Sequence, residues 1–222
     1  MAQMTGVMEM ARIGFSARDA EPDVLSRHEP EIALDAGTGR RRSRIVPEVP
    51  LVLDGEVVED LDRMEAEITG PLFMTRLVYD STVALGAFTD RAAMLSEARR
   101  LSADTESTAL RDSEHVCTSN PDSLEDIVRF WEDAGEQGDI RSVGPGRGYS
   151  DLSHLHRGFL GAGNWDNIIS SLSWCRFDVS LFDLTGFDAS GGEFFAPKGC
   201  NTPDLTPFGW NDRASSIANW GT

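Results

Sequence analysis

The chain has 222 residues, 40% of them hydrophobic, with 20 Lys and Arg against 37 Asp and Glu and a formal net charge of −17. An acidic balance of this size repels nucleic acid and anionic membrane surfaces and favours cations, so no nucleic-acid partner is expected. No apolar run reaches the roughly 18–20 residues of a membrane-spanning helix, and no apolar leader follows Met1, which makes the cytoplasm the expected location and leaderless export the alternative.

Residues 1–45 mix Met, Ala, Glu and Arg without sustained periodicity and carry the basic run Gly39-Arg40-Arg41-Arg42-Ser43-Arg44. They read as a flexible arm with a solvated basic stretch, and as the place where a protein partner would attach. A small α+β domain is expected over 46–103. Pro50 to Leu53 reads as a strand closed by the turn dipeptide Asp54-Gly55. Val58, Leu61, Met64 and Ile68 follow at helical spacing, Leu72 to Tyr79 and Thr82 to Phe88 read as extended, and Met94, Leu95, Ala98 and Leu101 mark a second helix. A Ser-, Thr- and Asp-rich linker at 104–119 leads to the last unit, 120–222.

Composition changes at that boundary. All five Trp, eight of 11 Phe and 14 of 21 Gly lie beyond residue 118. Aromatic-rich, Gly-punctuated sequence with short apolar runs such as Val179 to Phe182 and Gly192 to Ala196 points to an all-β sandwich. Within it one motif occurs twice: Trp165-Asp166-Asn167-Ile168-Ile169-Ser170-Ser171 and Trp210-Asn211-Asp212-Arg213-Ala214-Ser215-Ser216. Upstream landmarks repeat in the same order. Trp131 to Gly138 aligns with Phe182 to Ala189, and Asp151-Leu152-Ser153 aligns with Asp204-Leu205-Thr206. The unit is therefore a duplication. The first copy carries extra residues, His154 to Gly163, between the D-L-S corner and the Trp.

These residues resemble the βγ-crystallin superfamily, whose Greek-key motifs open Y/F-x-x-x-x-F/Y-x-G and in microbial members carry the signature N/D-N/D-x-x-S/T-S. The resemblance implies two Greek keys over roughly 118–222, with Trp165 and Trp210 in equivalent buried positions. The opening pattern departs in two places: Glu136 replaces the second aromatic of the first key, and Ala189 replaces the Gly of the second. Ala tolerates a left-handed backbone poorly, so strain is expected there. The resemblance also implies two Ca2+ sites in which the turn of one key meets the Ser of the other. Their ligands would be Asp166, Asn167, the Ile168 carbonyl and Ser170, with Asn211, Asp212, the Arg213 carbonyl and Ser215. Carbonyls just after the opening aromatics, at Glu132 and Asp183, complete the sets, and how the ligands divide between the ions stays open. Such hydroxyl, amide, carboxylate and carbonyl oxygens suit a hard cation.

Other patterns carry less. His154-x-His156 lacks further zinc ligands at the right spacing. Asp183 to Glu193 misses the EF-hand pattern, and Gly144 to Gly148 lacks the ending of a phosphate loop. No nucleophile elbow or acid–base constellation stands out, so no enzyme is expected. Cysteines fall at 117, 175 and 200. Whether Cys175 and Cys200 pair is left open by spacing, and free thiols are the expectation in a cytosol. The reading is a calcium-binding, non-enzymatic crystallin-like module. Its alternatives are a microbial effector resembling the killer toxins or metalloproteinase inhibitors of the superfamily, and a metal-free structural protein.

Overall fold

The computed structural model describes residues 22–25, 45–79, 82–106, 127–158 and 163–221. In chain order these form β1 (Asp23–Val24), β2 (Leu51–Leu53), β3 (Glu56–Val57), α1 (Leu61–Glu67), β4 (Phe73–Tyr79), β5 (Thr82–Phe88) and α2 (Arg91–Glu106). Then follow β6 (Val128–Asp133), β7 (Gln137–Val143), β8 (Arg147–Tyr149), β9 (His156–Arg157), β10 (Gly163–Asn164), β11 (Ser171–Ser173), β12 (Val179–Phe182), β13 (Glu193–Ala196) and β14 (Ser216–Asn219). The architecture is mostly β, with two α-helices among the described residues. Residues 104–106 of the expected linker are the end of α2, while its remainder, the basic run and most of the expected arm lie outside the described residues.

The duplicated region makes two Greek keys that interlock. β11, β6 and β7 form one sheet of the first key, to which Thr202 of the second key adds an antiparallel bridge with Leu172. β12, β13 and β14 belong to the second key, and β8 of the first key pairs with β14 beside them. The first key thus lends a strand to the second key's sheet, and the second returns a single bridge. The inner faces meet around Phe130, Trp165, Leu172, Val179, Leu181, Phe194, Trp210 and Ile217, all at most 1% exposed.

The strand-pairing groups expected within 46–103 do not stop at a sheet of their own. β4 runs parallel to β13, with Phe73, Met74 and Thr75 opposite Glu193, Phe194 and Phe195. The result is a nine-stranded mixed sheet in the order β1-β8-β14-β12-β13-β4-β5-β2-β3. Local rules explain its N-terminal pieces. Asp54 and Gly55 both take positive φ, 47° and 94°, the turn geometry that joins two antiparallel strands with the correct twist. Asp60 accepts the Arg63 N–H at 3.0 Å and starts α1, while Asp90 accepts the Ala92 N–H at 2.9 Å and starts α2.

Side-chain alternation then puts β4 to work on both faces. Met74 enters the main core with Met64 and Leu85. Phe73 faces the other way, where Met94, Leu95 and Ala98 of α2 cover Phe182, Phe195 and Ala218. The strands of the second key are therefore buried on both faces, which is why they read as continuous runs and not as alternation. At the far edge, β1 pairs with β8, Asp23 opposite Gly148 and Val24 opposite Arg147. This short stretch of the expected arm is a sheet strand.

Candidate metal centre

The repeated motif builds the same turn twice. Trp165 is 1% and Trp210 0% exposed, the equivalent burial that their matched placement implies. Trp165 packs edge-on to Phe130 at 4.9 Å, and Trp210 lies 5.8 Å from Phe194 with its indole N–H donating to Met74 Sδ at 3.5 Å. Two residues on, the backbone turns left-handed at Asn167 (φ 56°) and Asp212 (φ 53°). Asn and Asp are the side-chain-bearing residues that tolerate this conformation best, because their short polar groups bond locally.

The turns lock each other across the keys. Asn167 N–H donates to Ala214 O at 2.9 Å, and Asp212 N–H donates to Ile169 O at 3.2 Å. Each first Ser is held to its own opening strand: Ser170 N–H donates to Trp131 O at 2.9 Å and Ser215 N–H to Phe182 O at 2.8 Å. The second Ser of each motif fastens the hairpin corner. Ser171 Oγ donates to Asp133 O and accepts from Glu136 N–H, and Ser216 Oγ donates to Leu184 O and accepts from Phe187 N–H.

Those corners resolve the two departures from the motif. Gly135 and Gly186 carry φ of 74° and 76°, and Glu136 and Phe187 carry 61° and 58°. The corner needs only a backbone N–H at the second aromatic position, which Glu136 supplies. Ala189 sits in a 3-10 turn capped by Asp188 and is not among the left-handed residues. The left-handed backbone that Gly138 takes at the matching position of the first key, φ 75°, is not taken here, so the strain expected at Ala189 does not arise.

Oxygens converge where the turns meet. Ser170 Oγ lies 3.2 Å from Asp212 Oδ1 and 3.3 Å from Ile168 O. Glu132 is at the same end, next to the Trp131 carbonyl that holds Ser170. At the other end, Ser215 is held beside Asp183, and Asp183 is close enough to Asp166 to feel its charge. The structure thus groups Glu132, Ile168, Ser170 and Asp212 with Asn211, and groups Asp183, Arg213 and Ser215 with Asp166 and Asn167. Desolvation raises the pKa of Asp212, with Asp133 adding to the rise and bonds from Ser170 and Asn211 opposing it. Desolvation also raises that of Asp183, against the nearby Arg213. Asp166 Oδ1 is buried without a hydrogen-bond partner, an acceptor that a cation would satisfy. Among the described residues no three His, Cys, Asp or Glu side chains cluster. The donor set is one of hydroxyl, amide and carbonyl oxygens with isolated carboxylates, which fits calcium and not a nitrogen- or sulfur-seeking metal.

Three features had no signal in the motif. Arg213, whose carbonyl was the expected ligand, turns its side chain inward at 7% exposure, ion-paired to Asp183 at 3.0 Å and 5.1 Å from the Trp210 ring centre. Arg157, from the extra residues of the first copy, is paired with Glu132. Cys200 is disulfide-bonded while Cys175 is free and buried, so those two do not pair. Burial pushes the Cys175 thiol up to about 12.

No protein-family model and no curated protein sequence matches the chain. Solved structures do. A βγ-crystallin from Ciona intestinalis is 22% identical over 42% of this chain and 98% of its own, with a TM-score of 0.33. A βγ-crystallin domain from Clostridium beijerinckii is 24% identical over 43% and 99%, at 0.34. A βγ-crystallin from an archaeon is 12% identical over 43% and 98%, at 0.33.

Over about two-fifths of its length the chain is similar to these βγ-crystallin domains.

The matched share leaves more than half of the chain outside the likeness. Strands β2 to β5 and helix α2 are joined to the duplicated region through β13. No helix among the described residues is long and apolar enough to cross a membrane.

Proposed function

We propose that the protein is a non-enzymatic calcium-binding module with two sites at the interlocked turns. The observation that carries this reading is the convergence of Ser170 Oγ, Ile168 O and Asp212 Oδ1 within 3.3 Å beside a left-handed turn, with the second turn built the same way. Calcium takes six to eight oxygens at about 2.3–2.6 Å in flexible geometry. The chain would hold one ion with Glu132, Ile168, Ser170, Asn211 and Asp212, and the other with Asp166, Asn167, Asp183, Arg213 and Ser215.

Each motif brings one formal carboxylate, Asp166 or Asp212, so dissociation constants of about 10⁻⁵–10⁻³ M are expected, between sensor and extracellular-module ranges. Isothermal titration of metal-stripped protein tests this. Two calcium ions should bind and raise the melting temperature, whereas magnesium, which demands stricter octahedral geometry, should do much less. Ser170→Arg and Ser215→Arg should each lower the stoichiometry. No heat and no thermal shift at millimolar calcium would leave the metal-free structural reading.

A second reading, an exported effector or inhibitor, has one observation in its favour. Cys200 is disulfide-bonded, and such bonds persist in oxidising compartments. Counting free thiols in protein isolated under thiol-trapping conditions decides it: one free thiol supports export, and three argue for the reducing cytosol.

A further inference from the structure

Both keys place an acid directly after the opening aromatic, Glu132 after Trp131 and Asp183 after Phe182, and both acids are paired with an arginine of the same key. The arginines arrive by unrelated routes. In the second key the partner is Arg213, the fourth residue of the turn motif. The matching position of the first key is Ile168, which has no charge to offer. There the partner is Arg157, on β9, within the residues inserted between the D-L-S corner and Trp165. Two different chain segments thus deliver the same guanidinium–carboxylate pair to equivalent ends of the duplicated site.

We propose that Arg157 and Arg213 are resident counter-cations of the two calcium sites, holding the turns together without metal and setting calcium affinity low. The inference rests on the calcium reading above. Arg213 cannot swing away when an ion arrives, because it is 7% exposed, bonded to Asp183 at 3.0 Å and held over Trp210. Its positive charge stays beside the ion it would repel. Arg157 is more open, with 23% of its side chain exposed, yet its charge reaches Asp212 as well as Glu132. In the metal-free protein the two charges offset repulsion between carboxylates, Arg213 at Asp183 against Asp166 and Arg157 at Asp212 against Asp133.

The test compares the full chain with Arg157→Met, Arg213→Met and the double variant, which keep the apolar stem and remove the charge. Calcium alone is titrated calorimetrically into each, and melting temperatures are taken with and without it. Removing a unit charge close to a divalent ion at intermediate effective dielectric should tighten one site about tenfold in each single variant and both sites in the double. Without calcium the variants should melt lower than the parent, and calcium should raise their melting temperature more. Arg213→Lys, which keeps the charge, should stay near the parent affinity.

A purely structural role would weaken calcium binding in the Met variants, and that result, or unchanged affinity, overturns the proposal. A parent that binds no calcium beside a double variant that does would uphold the arginines' role and overturn calcium binding as the native function. Silence in both overturns both. If Arg213→Met fails to fold, Arg157→Met at the more exposed pair carries the same comparison.

Discussion

Removing the guanidinium of Arg91 tests whether the N-terminal strands are one body with the duplicated region. Arg91 opens α2 and reaches Glu193 at the start of β13, with Nε to Oε2 at 2.7 Å and Nη2 to Oε1 at 2.9 Å. The Glu193 side chain is 0% and that of Arg91 13% exposed. Ser180 Oγ donates to Glu193 Oε1 at 2.5 Å and in turn accepts from Trp220 Nε1 at 2.8 Å. Arg91→Met keeps the stem and strands a buried carboxylate with one neutral donor. Breaking a buried pair from one side costs about 3–5 kcal/mol, a large part of a whole domain's stability of about 5–15 kcal/mol. For a chain of this size it lowers the melting temperature on the order of 10 °C. Adding Glu193→Gln to make the double variant removes the stranded charge and should recover more than half of the loss. Urea unfolding followed by Trp fluorescence measures all four corners of the cycle at neutral pH. A single variant costing under about 1 kcal/mol, or a double variant no better than the single, would mean that α2 does not seal Glu193.

Trp165→Ala and Trp210→Ala should each cost about 3–5 kcal/mol by urea unfolding, since both rings are at most 1% exposed; a loss below about 1.5 kcal/mol at either would contradict their matched core roles. Gly148→Ala should destabilise by about 1–3 kcal/mol, because the new Cβ would lie 2.7 Å from the Ile217 carbonyl and 2.8 Å from the Phe187 ring; an unchanged urea midpoint would show that the strands β8 and β14 give way freely. With its thiol pushed up to about 12 by burial, Cys175 is not a thiolate at ordinary pH. It should resist iodoacetamide at pH 8 until denaturant unfolds the chain, and labelling of native protein, located by peptide mass, would refute its burial.

The two turns were legible because their chemistry is local. An Asn or Asp two residues after a Trp is suited to a left-handed turn wherever it occurs, so the two motifs announced two matching turns, and both Asn167 and Asp212 take that geometry. The strands Val179–Phe182 and Glu193–Ala196 were legible for a similar reason, since short apolar runs bounded by turn residues have few other fates. The extended and helical segments between 51 and 106 could also be read from their own periodicity. Which sheet those strands would join could not. The bonds between β4 and β13 run through backbone groups that every residue carries, so the run Phe73 to Tyr79 reads alike in a separate sheet or in this one. The arginine pairs were equally hidden. Ion pairing depends on where folding brings a long side chain, and only the tertiary fold puts Arg157 beside Glu132, 25 residues away, and Arg91 beside Glu193, 102 residues away.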